Sequence, residues 1–183
     1  MISPLDFWIW VFTSLSVFFD IFVRKIPNWL VLTGLAGGLL FNSVQGLHAF
    51  YNSVFGLLLG VAIFFVPFAL GYVGAGDVKY FGVVGSLLGF QYLPRVFFYT
   101  ILTGGLLAVV AIAYNRTNLS ISSFLKTVWF DCKLVVFSLG RTLPNDINAK
   151  ALKGAITIPF GVAIGLGTIL AYYVDPNGKW AGF

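Results

Sequence analysis

The sequence contains no glutamate, one histidine and one cysteine, and only 9% of its 183 residues carry charge. Each scarcity closes a class of protein. A lone cysteine, Cys132, cannot form an internal disulfide, and with His48 as the single histidine no Cys or His cluster has metal-ligand spacing. Neither a disulfide framework nor a bound metal is therefore expected to hold the chain together. Charge this sparse also cannot cover the surface of a water-soluble domain. What the chain has instead is apolar mass: 59% hydrophobic residues and a mean hydropathy of +0.95, the composition of a polytopic membrane protein.

A span of the hydrocarbon core, about 30 Å, takes about 20 apolar residues. Runs of suitable length lie near 5–22, 28–45, 50–70, 78–93, 96–114 and 154–174. The expected fold is thus all-α, with six transmembrane helices in a single membrane domain over residues 1–183. The first run lacks a basic segment ahead of it and a small-residue cleavage site behind it, so it reads as a retained span rather than a removed signal.

Lys and Arg set the orientation, because short loops rich in them stay in the cytoplasm. Six spans put Arg24, Lys25, Lys79, Arg116, Lys126, Lys133, Arg141, Lys150 and Lys153 on one side and only Arg95 and Lys179 on the other. Both termini are then extracytoplasmic. The net charge of +5 is mostly this topological signal. It points to anionic lipid headgroups as partners, and the absence of basic–aromatic interleaving argues against nucleic acid.

The long connection 115–153 is expected on the cytoplasmic side. Within it Ile121, Phe124, Leu125, Val128, Trp129, Cys132, Val135, Val136 and Leu139 recur at a helical period, opposite Lys126 and Lys133. This reads as an amphipathic helix over about 119–140 lying in the membrane interface, since Lys126, Asp131 and Lys133 would be costly within a seventh span. Three glycine pairs at four-residue spacing, Gly56/Gly60, Gly85/Gly89 and Gly161/Gly165, are candidate seams for close helix contact.

All six acidic residues are aspartates. Asp6 and Asp175 fall at outer ends, Asp131 on the interfacial helix and Asp146 in a loop, where solvation accounts for them. Asp20 and Asp77 differ. The first span ends, and the fourth begins, on the cytoplasmic side, so two aspartates 57 positions apart share one membrane face. An ionisable group at membrane depth is costly enough to suggest a function. Two neighbouring carboxylates in a poorly solvated place cannot both ionise easily, which leaves one protonated and one charged. An aspartyl hydrolase needs that arrangement: one carboxylate takes a proton from water while the other hydrogen-bonds the scissile carbonyl. Gly71, Gly74 and Gly76, with Pro67 upstream, suggest an irregular backbone leading into Asp77. A plainer reading of the same turn makes Asp77 a helix N-cap, Lys79 a positive-inside anchor and Pro27-Asn28 a helix start.

Asp20-Ile-Phe-Val-Arg-Lys-Ile-Pro-Asn28, Gly-Ala-Gly-Asp-Val-Lys at 74–79 and Ile-Thr-Ile-Pro-Phe-Gly at 156–161 together resemble, in order and spacing, three signatures of the type IV prepilin peptidases. These are membrane aspartyl proteases with a Gly-x-Gly-Asp motif. The resemblance implies that Asp20 and Asp77 are catalytic and that Gly74, Gly76, Lys79, Pro27 and Asn28 support them. It matches Arg24 and Ile26 to the first segment and Pro159, Phe160 and Gly161 to the last, without a catalytic role. It further implies an inner-membrane enzyme without metal or cofactor that cuts short basic leaders from prepilin-like precursors near the cytoplasmic face. Long bifunctional members carry paired Cys-x-x-Cys motifs linked to amino-terminal methylation; with one cysteine, this chain is similar to the short peptidases of tight-adherence pilus systems, then to archaeal preflagellin peptidases, and no methyltransferase activity is expected. Two other classes use the same residues: a small proton-coupled transporter relaying protons through Asp20 and Asp77, and a scaffold in which either aspartate is dispensable. A presenilin-like protease would place its partner aspartate on the span before the Gly-x-Gly-Asp motif, and the third span has none.

Overall fold

A computed structural model describes residues 4–69, 73–114 and 160–174. Among them every element is helical: α1 Pro4–Phe22, α2 Asn28–Val44, α3 Leu47–Ala69, α4 Ala75–Leu88, α5 Leu93–Tyr114 and α6 Phe160–Ile169, which continues as a π-helical turn, Leu170–Val174. The chain divides into two compact units, Met1–Leu106 with Pro159–Phe183, and Leu107–Ile158; of the second only the end of α5 is described. The interfacial helix expected over about 119–140, with its loop 115–153, lies outside the described residues, as do Gly71, Pro159 and the aspartates at 131, 146 and 175.

By length and composition α1, α3 and Leu93–Val110 of α5 can each cross a membrane, while α2 and Phe160–Val174 are shorter apolar helices. This is a multi-pass membrane protein, and its side chains are distributed accordingly. Phe7, Phe22, Leu32, Leu40, Phe55, Phe65 and Leu106 lie exposed on the outside, whereas Thr13, Ser16, Asn42, Ser53, Ser86, Thr100 and Thr168 are buried within. In lipid, large apolar groups gain nothing by hiding, and small or hydrogen-bonding residues make the helix contacts.

Helix α4 is the exception that organises the rest. Every residue from Tyr80 to Leu88 is buried, and α1, α2, α3 and α6 all pack on it. Screened from lipid, it has no need of a strongly apolar surface. Its 14 residues reach only about 21 Å at 1.5 Å per residue. The fourth apolar run, expected over 78–93, is therefore shifted: the helix starts at Ala75 and stops at Leu88, because Gly89 adopts φ +83° and the Phe90 N–H turns to the Asn52 side chain at 3.0 Å. Helix α5 correspondingly begins at Leu93, ahead of Pro94, a residue suited to a helical first turn.

The glycine seams form as expected. A Cβ on Gly56 would run into the backbone carbonyl of Gly85, and one on Gly85 into that of Gly56; Gly60 lies against the Phe81 carbonyl. Buried polar groups lock the same region. Ser53 Oγ donates to the Ser86 carbonyl at 2.6 Å, and Asn42 Nδ2 donates to the Gly38 carbonyl at 2.8 Å and the Ser86 carbonyl at 3.2 Å. Helix α5 is joined to α6 through Thr103 Oγ1, which donates to the Ala163 carbonyl at 2.9 Å. Gly56→Ala, which pushes a methyl into backbone rather than into a flexible side chain, is expected to destabilise the protein by about 1–3 kcal/mol. Unfolding in mixed micelles measures this, and an unchanged midpoint would mean that close approach at Gly56 does not hold α3 to α4.

Candidate functional site

Helix α1 buries one stripe: Ile9, Phe12, Thr13, Ser16 and Asp20. Spacings of three and four residues put these on one inward face, and Asp20, only 8% exposed, is its last member. What meets it there is the start of α6. The Val162 N–H donates to Asp20 Oδ2 at 3.2 Å, and the Gly161 N–H is directed at the same carboxylate. The first N–H groups of a helix have no partner within it, and the helix dipole favours negative charge at that end. Gly161 makes the approach possible, since a Cβ there would sit 2.6 Å from Asp20 Oδ2 and 3.0 Å from Asp20 Cβ.

Asp77 is the third residue of α4. Its Oδ2 accepts the Gly74 N–H at 3.2 Å, the carboxylate half of a capping box whose other half is missing because Gly74 has no side chain. The N-cap position is Gly74, so Asp77 is not the N-cap of the plainer reading. Nor do Gly74 and Gly76 adopt special backbone angles. Gly74 sits at φ −75°, ψ 152°, open to any residue, and a Cβ on Gly76 would meet Ile26 at ordinary contact distance, 3.7 Å. What these glycines supply is an uncovered backbone beside Asp77, with Gly74 exposed and Gly76 partly so.

Asp20 and Asp77 stand close enough for their charges to interact, and Tyr80 lies within electrostatic range of both. The alternation of the helices brings other motif residues to the same end. Asn28, the first residue of α2, accepts a hydrogen bond from Lys79 Nζ at 2.9 Å, tying α2 to α4. Pro27 is the α2 N-cap, extended at φ −68°, ψ 142°. Ile26 is buried against Gly76, and Arg24 turns the α1–α2 connection with a left-handed φ of 55°, near enough to interact with the Asp20 charge. Phe160 packs on Phe64 with ring centroids 5.8 Å apart.

Asp6 belongs to the opposite end, where Tyr172 Oη donates to it at 2.6 Å beside Trp10, Tyr92 and Tyr173. Among the described residues no group of three or more His, Cys, Asp or Glu converges.

Sequence reasoning did not single out Gly161 and Val162 as neighbours of Asp20, or the hydroxyls of Thr13, Ser16 and Tyr80 below it. The available signal was spacing: Ser16 and Thr13 precede Asp20 by four and seven residues, and Tyr80 follows Asp77 by three.

With the geometry in place, comparison with known proteins sharpens the picture. The chain is 32% identical over 111 residues to the prepilin leader peptidase/N-methyltransferase of Bacillus subtilis (strain 168), covering 58% of this chain and 45% of that protein. It is 27% identical over 142 residues to the protein of the same name from Aeromonas hydrophila, covering 67% and 48%. It thus spans about half the length of the curated relatives it matches. No solved structure matches it. Residues 7–109, which carry both Asp20 and Asp77, match the Type IV leader peptidase family, and the chain belongs to that family.

Proposed function

We propose that this protein is a membrane aspartyl endopeptidase that removes short basic leaders from type IV prepilin-like precursors, with Asp20 and Asp77 as its water-activating pair. One observation carries the reading. Two aspartates from distant parts of the chain lie within electrostatic range of each other at one end of the helices, Asp20 accepting from the first turn of α6 and Asp77 from the N-cap of α4.

The chemistry follows from that placement. The charged carboxylate of the pair takes a proton from water as the oxygen attacks the scissile carbonyl carbon. The protonated partner hydrogen-bonds the carbonyl oxygen as it becomes an alkoxide. Collapse of the tetrahedral intermediate breaks the C–N bond, and a proton passes to the departing amine. General acid–base assistance of this kind contributes about 10²–10⁴-fold. Gly74 and Ala75, both exposed, present little side-chain bulk to an extended peptide approaching Asp77.

Charge supports the cytoplasmic side for this end. Arg24, Lys25 and Lys79 lie with the aspartates, and Arg95 lies by Tyr92 at the other end. Both termini are then extracytoplasmic, and a leader held at the inner surface ends where the pair sits. The relatives' names couple the peptidase to an N-methyltransferase. The proposal for this chain covers the peptidase alone.

The test is to incubate the purified protein in detergent or nanodiscs with a prepilin-like precursor, a basic leader joined to an apolar helix, and to measure product masses. Cleavage at the leader–helix junction is expected. Failure to cut any such precursor, with the protein folded, would remove the peptidase assignment and favour proton-coupled transport.

A further inference from the structure

Below the aspartate pair, inside the helix assembly, three hydroxyls are buried together without a hydrogen-bonding protein partner. Thr13 Oγ1, Ser16 Oγ and Tyr80 Oη are all sealed from the surface. Thr13 and Tyr80 are neighbours, within reach of one another but not in hydrogen-bond geometry. Such groups normally find a partner, and leaving even one unpaired in an apolar interior is costly. Among the other described residues buried hydroxyls do find one: Ser53, Thr100, Thr103 and Thr168 all donate to carbonyls. The exceptions gather in one place, on the α1 stripe that leads to Asp20 and on the α4 residue one turn beyond Asp77.

Gly165 of α6 packs directly on that place: a Cβ there would run into Val17 Cγ2 and sit 3.2 Å from Tyr80 Oη and 3.4 Å from Thr13 Cγ2, so the backbone of α6 closes over the hydroxyls. Ser16 lies one helical turn from Asp20, a rise of about 6 Å, a gap that one water molecule bridges. A buried water needs two to four polar partners, and these three hydroxyls offer them.

We infer that Thr13, Ser16 and Tyr80 form a water-binding floor beneath the aspartate pair, and that Tyr80 is a positioning residue for water delivered to Asp20. The positioning role rests on the proposed hydrolytic pair; the water site does not. A protease set in a membrane must hold its second substrate, water, in surroundings that exclude it. A floor of hydroxyls reached from the carboxylates holds that water without an open channel to the lipid.

Two measurements test this on the intact protein. The first is radiolytic hydroxyl labelling in nanodiscs, which oxidises side chains adjoining bound water. Tyr80 is expected to gain oxygen although it is fully buried, and labelling is expected to fall at least several-fold in Thr13→Val/Ser16→Ala. A misfolded variant would raise labelling, not lower it. An unlabelled Tyr80 in the wild type overturns the site, whether or not the protein cleaves prepilin. The second is cleavage kinetics of Tyr80→Phe, which removes only the hydroxyl. A fall in kcat of about tenfold with KM within twofold supports positioning, and an unchanged kcat overturns it.

Discussion

Asp20→Asn and Asp77→Asn are each expected to reduce leader cleavage by about 10²–10⁴-fold, to the edge of detection, while the protein remains folded and inserted. Asparagine keeps the shape of aspartate and one carbonyl oxygen. At position 20 it can still accept the Val162 N–H, and at position 77 the Gly74 N–H. The contacts that orient both side chains therefore survive, and what disappears is the capacity to take up and return a proton. Because in the proposed mechanism the two carboxylates act on one water and one carbonyl, their losses are not expected to add. The double variant is expected to be no slower than the worse single one, within a few-fold. Mass-verified cleavage of one precursor by all four proteins decides the matter. Normal cutting by either single variant means that the two-aspartate mechanism is wrong.

Gly161→Ala is expected to lower kcat by about 10²-fold with little effect on KM. Alanine favours helix more than glycine does, so the first turn of α6 is not weakened. The added methyl instead falls 2.6 Å from Asp20 Oδ2, 2.8 Å from Cγ and 3.0 Å from Cβ. Rotating the carboxylate away does not relieve the contact with Cβ, so the side chain and the last turn of α1 must shift together. A displacement on the order of 1 Å at a reacting group can cost about 10² in rate. The shift also pulls Asp20 from the Val162 and Gly161 N–H groups that hold it. If Gly161→Ala cuts as fast as the wild type, close packing of α6 on Asp20 does not set the position of that carboxylate.

The site was legible in the sequence to the extent that topology determines it. Counting apolar runs puts Asp20 and Asp77 at one end because an odd span ends where an even span begins, and that parity tolerates errors of several residues in every boundary. The glycine pairs were legible for a similar reason, since four-residue spacing on a helix needs no knowledge of its partner. Other features needed the third dimension. The Lys79–Asn28 hydrogen bond joins two motif residues whose pairing their spacing does not reveal. The Asp77 carboxylate turned out to serve the third position of its helix, because a glycine N-cap leaves its own N–H for that carboxylate to accept. Ser14 and Ser16 differ in the sequence only in their spacing from Asp20, and the packing of α1 on α4 and α6 turns that difference into Ser14 outward and Ser16 inward.

The enclosed position of α4 governs the order in which the protein can become active during synthesis. Helix α1 is long and apolar enough to enter the bilayer by itself, so Asp20 arrives early. Helix α4 is short and suited to neighbours rather than to lipid, and its natural escort is α3, emerging just before it with Gly56 ready to meet Gly85. Asp77 thus enters as part of a hairpin. The N–H groups that hold Asp20 belong to α6, which leaves the ribosome after both aspartates. If the aspartate pair is the proposed catalytic one, a nascent chain carrying both aspartates is accordingly inert until α6 has docked on Asp20.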